Sequence, residues 1–330
     1  MNKVFPMLAV LVAGALLGGC AKDPEPMAGG TKTETTAAPE VKHELTLTGS
    51  TYEGEKDGKP VKLVLTPDGK FEMVLPETGK DSTILLAGTY YRADSRYALR
   101  VETNNGTAQE LEMVATKRGD GTMQAPSQLG NVELKNTAKG DEVAPIDLSA
   151  DPKPGDEVAV FETGKGKIVI MFYPQIAPKS VANFKELISS GFYNGTRFHR
   201  CIENFMVQGG DPKSKDVKLA SEWGTGGNMK DGVEVNVPHE FGHILLHKRG
   251  VVSMARSNDV DSASSQFFLM QHDYPSLDGQ YSAFGRIVKG LDVVDQIVKT
   301  GSKDPNANGS VKPDDAVLLN KATLAKWPVN

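Results

Sequence analysis

The residues His239-Glu240-Phe241-Gly242-His243 have the H-E-x-x-H spacing. On one turn of helix that spacing presents two imidazoles to a zinc ion and a carboxylate to its bound water as general base. His247 continues the four-residue interval. The chemistry needs a regular helix, and Pro238 before the motif and Gly242 inside it disfavour one. No metal site is therefore expected here. The chain's two cysteines, Cys20 and Cys201, are its only thiols. Cys201 falls in an apolar-rich stretch that reads as a strand, where a thiol is buried and inert.

The densest pattern is Phe198-His199-Arg200-Cys201-Ile202-Glu203-Asn204-Phe205-Met206-Val207-Gln208-Gly209-Gly210-Asp211. It resembles the signature of the cyclophilin-type peptidyl-prolyl cis/trans isomerases. The resemblance continues through Gly250-Val251-Val252-Ser253-Met254-Ala255-Arg256, Ser265-Gln266-Phe267-Phe268, Leu277-Asp278-Gly279-Gln280-Tyr281 and Phe284-Gly285, in the family's order and spacing. It spans residues 156 to 328, and it puts the His239 motif in a surface loop that ends at Lys248-Arg249-Gly250.

The resemblance implies a mainly β fold, an eight-stranded antiparallel barrel capped by two helices. It implies isomerisation of X-Pro bonds in proline-containing polypeptides without a cofactor, with Arg200 and Gln208 catalytic. Phe205, Met206, Phe268 and Leu277 would surround the proline ring, with Tyr281 as an aromatic wall. The main chain at Ala255 and Arg256 and the side chain of Gln266 would hold the residues before it.

The reaction explains these residue types. Amide resonance sets a barrier of about 20 kcal/mol to X-Pro rotation. In the twisted transition state the prolyl nitrogen regains its lone pair, so a fixed donor over it binds that state better than either planar one. Arg200, always charged and rigidly forked, suits that task.

Three positions depart from many relatives: Ser276 for Trp, Tyr281 for His and Arg256 for Asn. Arg256 matters least, since its position contributes backbone. Ser276 lacks an indole best known for binding cyclosporin, which bears on drug affinity more than on catalysis. Retention of Arg200 favours turnover. Ser276 and Tyr281 leave room for an alternative, a membrane-tethered proline-peptide-binding or chaperone module with little turnover.

The elements that must carry these residues begin with a short apolar run from Val4 to Leu17, behind the single charge of Lys3. It is too short to span a bilayer and has the layout of a secretory signal. Its ending, Leu17-Gly18-Gly19-Cys20, resembles the lipobox of bacterial lipoproteins. The resemblance implies removal of residues 1–19 and acylation of Cys20, anchoring the chain to an envelope membrane and facing the periplasm or the cell exterior. Ala21 after that cysteine fits an outer-membrane destination. With Cys20 acylated, no disulfide forms within the chain. The net charge of −5 suggests no nucleic-acid partner.

Residues 20–43 read as a flexible tether rich in Pro, Gly, Thr and Ala. From 44 to 135 short alternating runs recur between turn signals such as Thr66-Pro67-Asp68-Gly69 and Asn104-Asn105-Gly106, predicting an antiparallel meander in a small barrel or sandwich. Its Asp-Gly turns and Gly88-Thr89-Tyr90 resemble the barrel of envelope lipoproteins that sense copper and surface stress. The Cys-x-x-Cys of that family is absent, so the resemblance carries no site. Residues 136–155 read as an interdomain linker, and 156–330 as the isomerase domain, with helices after Pro178 and from Leu291 to Lys299.

Overall fold

The computed structural model describes residues 41–329. Cys20, the signal-like segment 1–19 and most of the tether lie outside them.

Eight antiparallel strands close the first barrel: β1 (Ser50–Lys56), β2 (Lys59–Leu65), β3 (Lys70–Pro76), β4 (Thr83–Ala93), β5 (Arg96–Asn104), β6 (Thr107–Lys117), β7 (Met123–Gln124) and β8 (Glu133–Ala138). Tight turns set the register. Asp57-Gly58 and Asn105-Gly106 all have positive φ, the geometry a two-residue hairpin demands and these residue types tolerate. Alternation then assigns the faces. Tyr90, Tyr97, Leu99 and Val101 point into the barrel core, while Tyr91, Ala93 and Ala98 point outward, where the second domain covers them.

That domain comprises β9 (Glu157–Thr163), β10 (Gly166–Phe172), α1 (Pro178–Ser189), β11 (Thr196–Arg197), β12 (Arg200–Ile202), β13 (Met206–Gly209), β14 (Met229–Lys230), β15 (Val233–Glu234), β16 (Val251–Met254), β17 (Phe267–Met270), β18 (Ala283–Lys289), α2 (Leu291–Ile297) and β19 (Leu318–Lys326). The main sheet runs β11-β19-β9-β10-β18-β16-β17-β13-β12, and β14 pairs only with β15. β11 and β12 are two ends of one stretch of chain, Thr196 to Ile202, so nine pieces count as eight strands and the two ends of the order meet. Phe184 of α1 plugs this second barrel. Its ring lies 4.8 Å from that of Phe284, 5.2 Å from Tyr193 and 5.3 Å from Phe267.

The segment between the barrels follows β8, which already takes in Asn136–Ala138. Glu142 closes the mouth of the first barrel, accepting from Tyr52 Oη (2.8 Å), Tyr97 Oη (2.6 Å) and Arg92 Nη1 (3.0 Å). Burial pushes its carboxyl up, but the hydrogen bonds from Tyr97, Tyr52 and Ser50 and the charge of Lys117 together hold it below the ordinary range. Ile146 and Leu148 then enter the apolar cluster shared by the two domains.

At that junction Arg100 Nη2 donates to Ile176 O (2.7 Å), and Lys179 pairs with Glu110 at 3.1 Å. Glu112 Oε2 accepts from Tyr91 Oη (2.7 Å), whereas Glu112 Oε1 is buried without a hydrogen-bond partner. Burial pushes this carboxyl up to about 7. The folded chain thus keeps a proton that the unfolded chain releases near 4.5. The resulting stabilisation is complete below that pH and is lost as pH rises from there through about 7, a loss of roughly 3 kcal/mol. Glu112→Gln is expected to remove this slope and to be more stable than wild type at pH 8. Urea midpoints from pH 5 to 8 check it, and parallel curves for the two proteins would contradict it.

Candidate active site

Strand register brings the site together. Arg200 of β12 is opposite Gln208 of β13, which is opposite Phe268 of β17. Residues opposite one another share a face, so these three side chains form a row on one surface of the sheet. Two residues along, Ile202, Met206 and Met270 form a second row on that surface. The intervening row, Cys201, Val207 and Leu269, faces the barrel core. The alternation that puts Arg200 outside therefore puts Cys201 inside. Burial pushes its thiol up to about 12, which makes it unreactive.

The half-buried Arg200 guanidinium is held at three points. Nε donates to Asn308 O (3.1 Å), Nη2 to Asn308 Oδ1 (2.9 Å) and Nη1 to Gln208 Oε1 (3.2 Å). Burial lowers the arginine's pKa from its ordinary value, yet a guanidinium stays charged through the physiological range. The chain of contacts continues from Gln208 Nε2 to Gln266 Oε1 (2.8 Å). Gln266 Nε2 in turn donates to the carbonyls of Gly224 (3.0 Å) and Gly226 (2.8 Å). Three polar side chains thereby share one fixed orientation. Asn308 was not singled out from the sequence, where Asn308-Gly309 signals only a turn. The structure gives Asn308 that left-handed turn conformation, with φ of 47°.

The apolar wall lies beside this row. Met206 and Phe268 are buried, and Phe205, Leu277, Tyr281 and Ala255 pack on the same cluster. The Tyr281 ring stands edge-on to Phe268, with centroids 5.6 Å apart. Behind Phe268 lies the buried His247 ring, stacked at 5.9 Å and fixed by Asp278 Oδ1 (3.0 Å) and Ser253 Oγ (3.1 Å). The Arg256 guanidinium covers Tyr281 at 4.7 Å and donates to Gln280 O (3.0 Å), so this side chain braces the wall. Ala255 N donates to Gln266 O (2.9 Å). Ser276 is exposed in the turn Pro275–Leu277, before Leu277. A cavity of about 240 Å³ adjoins the groove between Gln208, Gly224, Gly226, Ala255, Arg256 and Gln266.

His239, Glu240 and His243 do other work. Residues 238–247 are irregular backbone, so the two histidines share no helical face. His239 Nδ1 lies 2.8 Å from Asp261 Oδ1. Glu240 reaches the start of α1, where Ala177 supplies no side-chain cap, and accepts from Lys179 N (2.9 Å), Ser180 N (2.7 Å) and Ser180 Oγ (2.7 Å). It satisfies donors that a helix N-terminus otherwise leaves unpaired.

A groove with a fixed guanidinium beside an apolar recess fits a twisted prolyl amide. A family model described as cyclophilin type peptidyl-prolyl cis-trans isomerase/CLD matches residues 158–323. A probable peptidyl-prolyl cis-trans isomerase of Brucella abortus is 40% identical over 180 residues, covering 53% of this chain and 85% of that protein. Peptidyl-prolyl cis-trans isomerase A of Dickeya dadantii is 40% identical over 171 residues, covering 50% and 82%. A solved cyclophilin type isomerase of Cryptosporidium parvum is similar with a TM-score of 0.44 and 27% identity, covering 51% of this chain and 99% of that one. The chain belongs to the cyclophilin-type peptidyl-prolyl cis-trans isomerases.

Proposed function

We propose that the chain isomerises X-Pro bonds of extracytoplasmic polypeptides while anchored to an envelope membrane through Cys20, and that Arg200 stabilises the twisted amide. The reading of the chemistry rests on one observation: the row Arg200, Gln208, Phe268, which sets a braced cation beside an apolar recess. The proline ring enters the recess of Phe205, Met206, Phe268 and Leu277, with Tyr281 at its rim. Gln208, Gln266 and the main chain at Ala255 and Arg256 hold the preceding residues. Rotation then proceeds about the clamped bond with no covalent step, and Arg200 donates to the prolyl nitrogen as its lone pair returns.

The envelope assignment is supported by the Leu-Gly-Gly-Cys ending of the apolar run. Several acyl chains on one cysteine suffice for stable anchoring where a single chain does not. Cys20→Ser is expected to move the protein from the membrane fraction to the soluble fraction or to block its processing. Unchanged fractionation and unchanged mass in that variant would overturn the anchor. The activity is tested on purified wild-type chain with a proline tetrapeptide, by protease-coupled assay or magnetisation exchange.

A further inference from the structure

We propose that the N-terminal barrel is a working part of the isomerase, and that Arg96 is a positioning residue that holds one wall of the proline pocket from outside the isomerase domain. This rests on the assignment of Leu277 and Tyr281 to that pocket.

Arg96 opens β5 and reaches into the second domain with both prongs of its fork. Nη1 donates to His243 O (2.6 Å) and Nη2 to Ile244 O (2.9 Å). A guanidinium matches two successive carbonyls in this way, and an ammonium cannot. The gripped segment is irregular backbone with no strand partner of its own. It is fastened instead to the turn that carries Leu277. Gly279 N donates to Gly242 O (3.3 Å), His247 N to Asp278 Oδ1 (2.7 Å) and Tyr274 N to His247 O (2.8 Å). The His243 ring also packs on Gly279 so closely that a Cβ there would sit 2.1 Å from it.

Arg96 is therefore two links from the pocket wall: to the 242–247 segment, and from it to the 274–279 turn. The apolar packing runs the same way. Tyr91, Ala93 and Ala98 of the barrel lie in one continuous cluster with Ile244, Leu245 and Phe268, and the partly buried Leu277 and Tyr281 pack against it. Close-packed interiors transmit displacement, so releasing the segment loosens the wall.

The consequence differs in kind from loss of Arg200. The wall holds the proline ring in planar and twisted states alike, so weakening it removes uniform binding, which raises KM and leaves kcat nearly unchanged. In the full-length chain, assayed well below its thermal midpoint on an Ala-Pro tetrapeptide, Arg96→Ala is expected to raise KM about three- to tenfold with kcat within about twofold. Arg96→Lys should fall between, since one of the two carbonyls can still be reached. Lys179→Ala breaks another contact of the junction, that with Glu110, without touching the 242–247 segment, and should keep the wild-type KM.

A folded Arg96→Ala with wild-type KM overturns the proposal, as does a Lys179→Ala that shifts KM equally. Should Arg96→Ala not fold, Arg96→Lys decides by the same criterion. A wild type without turnover would sink the isomerase reading instead, and the same comparison is then made on the dissociation constant of the peptide by chemical-shift titration.

Discussion

Glu240→Ala is expected to destabilise the chain by about 3 kcal/mol while leaving the groove chemistry in place. The carboxylate is almost fully buried and accepts three hydrogen bonds at the head of α1. The cap position, Ala177, offers no replacement. Removing a partner leaves buried donors unpaired at about 1–3 kcal/mol each, although water entering the cavity recovers part of this. The favourable interaction of an anion with the helix N-terminus is lost as well, roughly a further 0.3–1 kcal/mol. Glu240→Gln keeps one acceptor oxygen and should cost about half as much. Urea denaturation reads the difference as a lower midpoint at unchanged slope. A metal-centred role for this glutamate predicts something else, namely stability that falls on chelation and wild-type-like folding of the alanine variant without metal. An Ala variant as stable as wild type would remove the capping role.

That glutamate marks the limit of what the sequence disclosed. The motif around it has the spacing of a helical zinc pattern, but Pro238 and Gly242 disfavour the helix and residues 238–247 are irregular backbone. What the glutamate does instead depends on a partner 60 residues earlier in the chain, which no local pattern encodes. Asn308, which braces Arg200 across 108 residues, was hidden for the same reason. By contrast, strand alternation and turn chemistry are local. They made the first barrel legible from runs such as Tyr97 to Val101 and from Asn105-Gly106, and left open only whether it closed. The outward Tyr91 belongs to the alternating strand β4. Its burial is a tertiary fact, created when the second domain covers that face. Within the groove the family spacing named Arg200, Gln208 and Phe268. The register adds that they stand in one row, and the Arg256 guanidinium over Tyr281 shows that this side chain braces the wall.

Arg200→Ala carries the largest expected effect on activity. Bringing a rotation of tens of seconds to milliseconds takes about 10⁴-fold acceleration, or roughly 5–6 kcal/mol. A charge-assisted hydrogen bond contributes about 1.5–3 kcal/mol, so its loss should lower kcat/KM on the order of 10- to 150-fold. The remainder rests with the apolar recess and the backbone contacts, which Arg200→Ala leaves intact. Arg200 lies on the outer face of its strand, with Cys201 taking the core position, so the fold should persist. Arg200→Lys should recover only part of the rate, because an ammonium cannot hold Asn308 and Gln208 and still point at the prolyl nitrogen.

The most direct test is magnetisation exchange between the cis and trans forms of an Ala-Pro peptide in the presence of full-length wild type or Arg200→Ala, with circular dichroism on both proteins. The expected result is a folded variant that binds the peptide within about threefold of wild type and exchanges it about 10- to 150-fold more slowly. A folded variant that exchanges the peptide at the wild-type rate would contradict it.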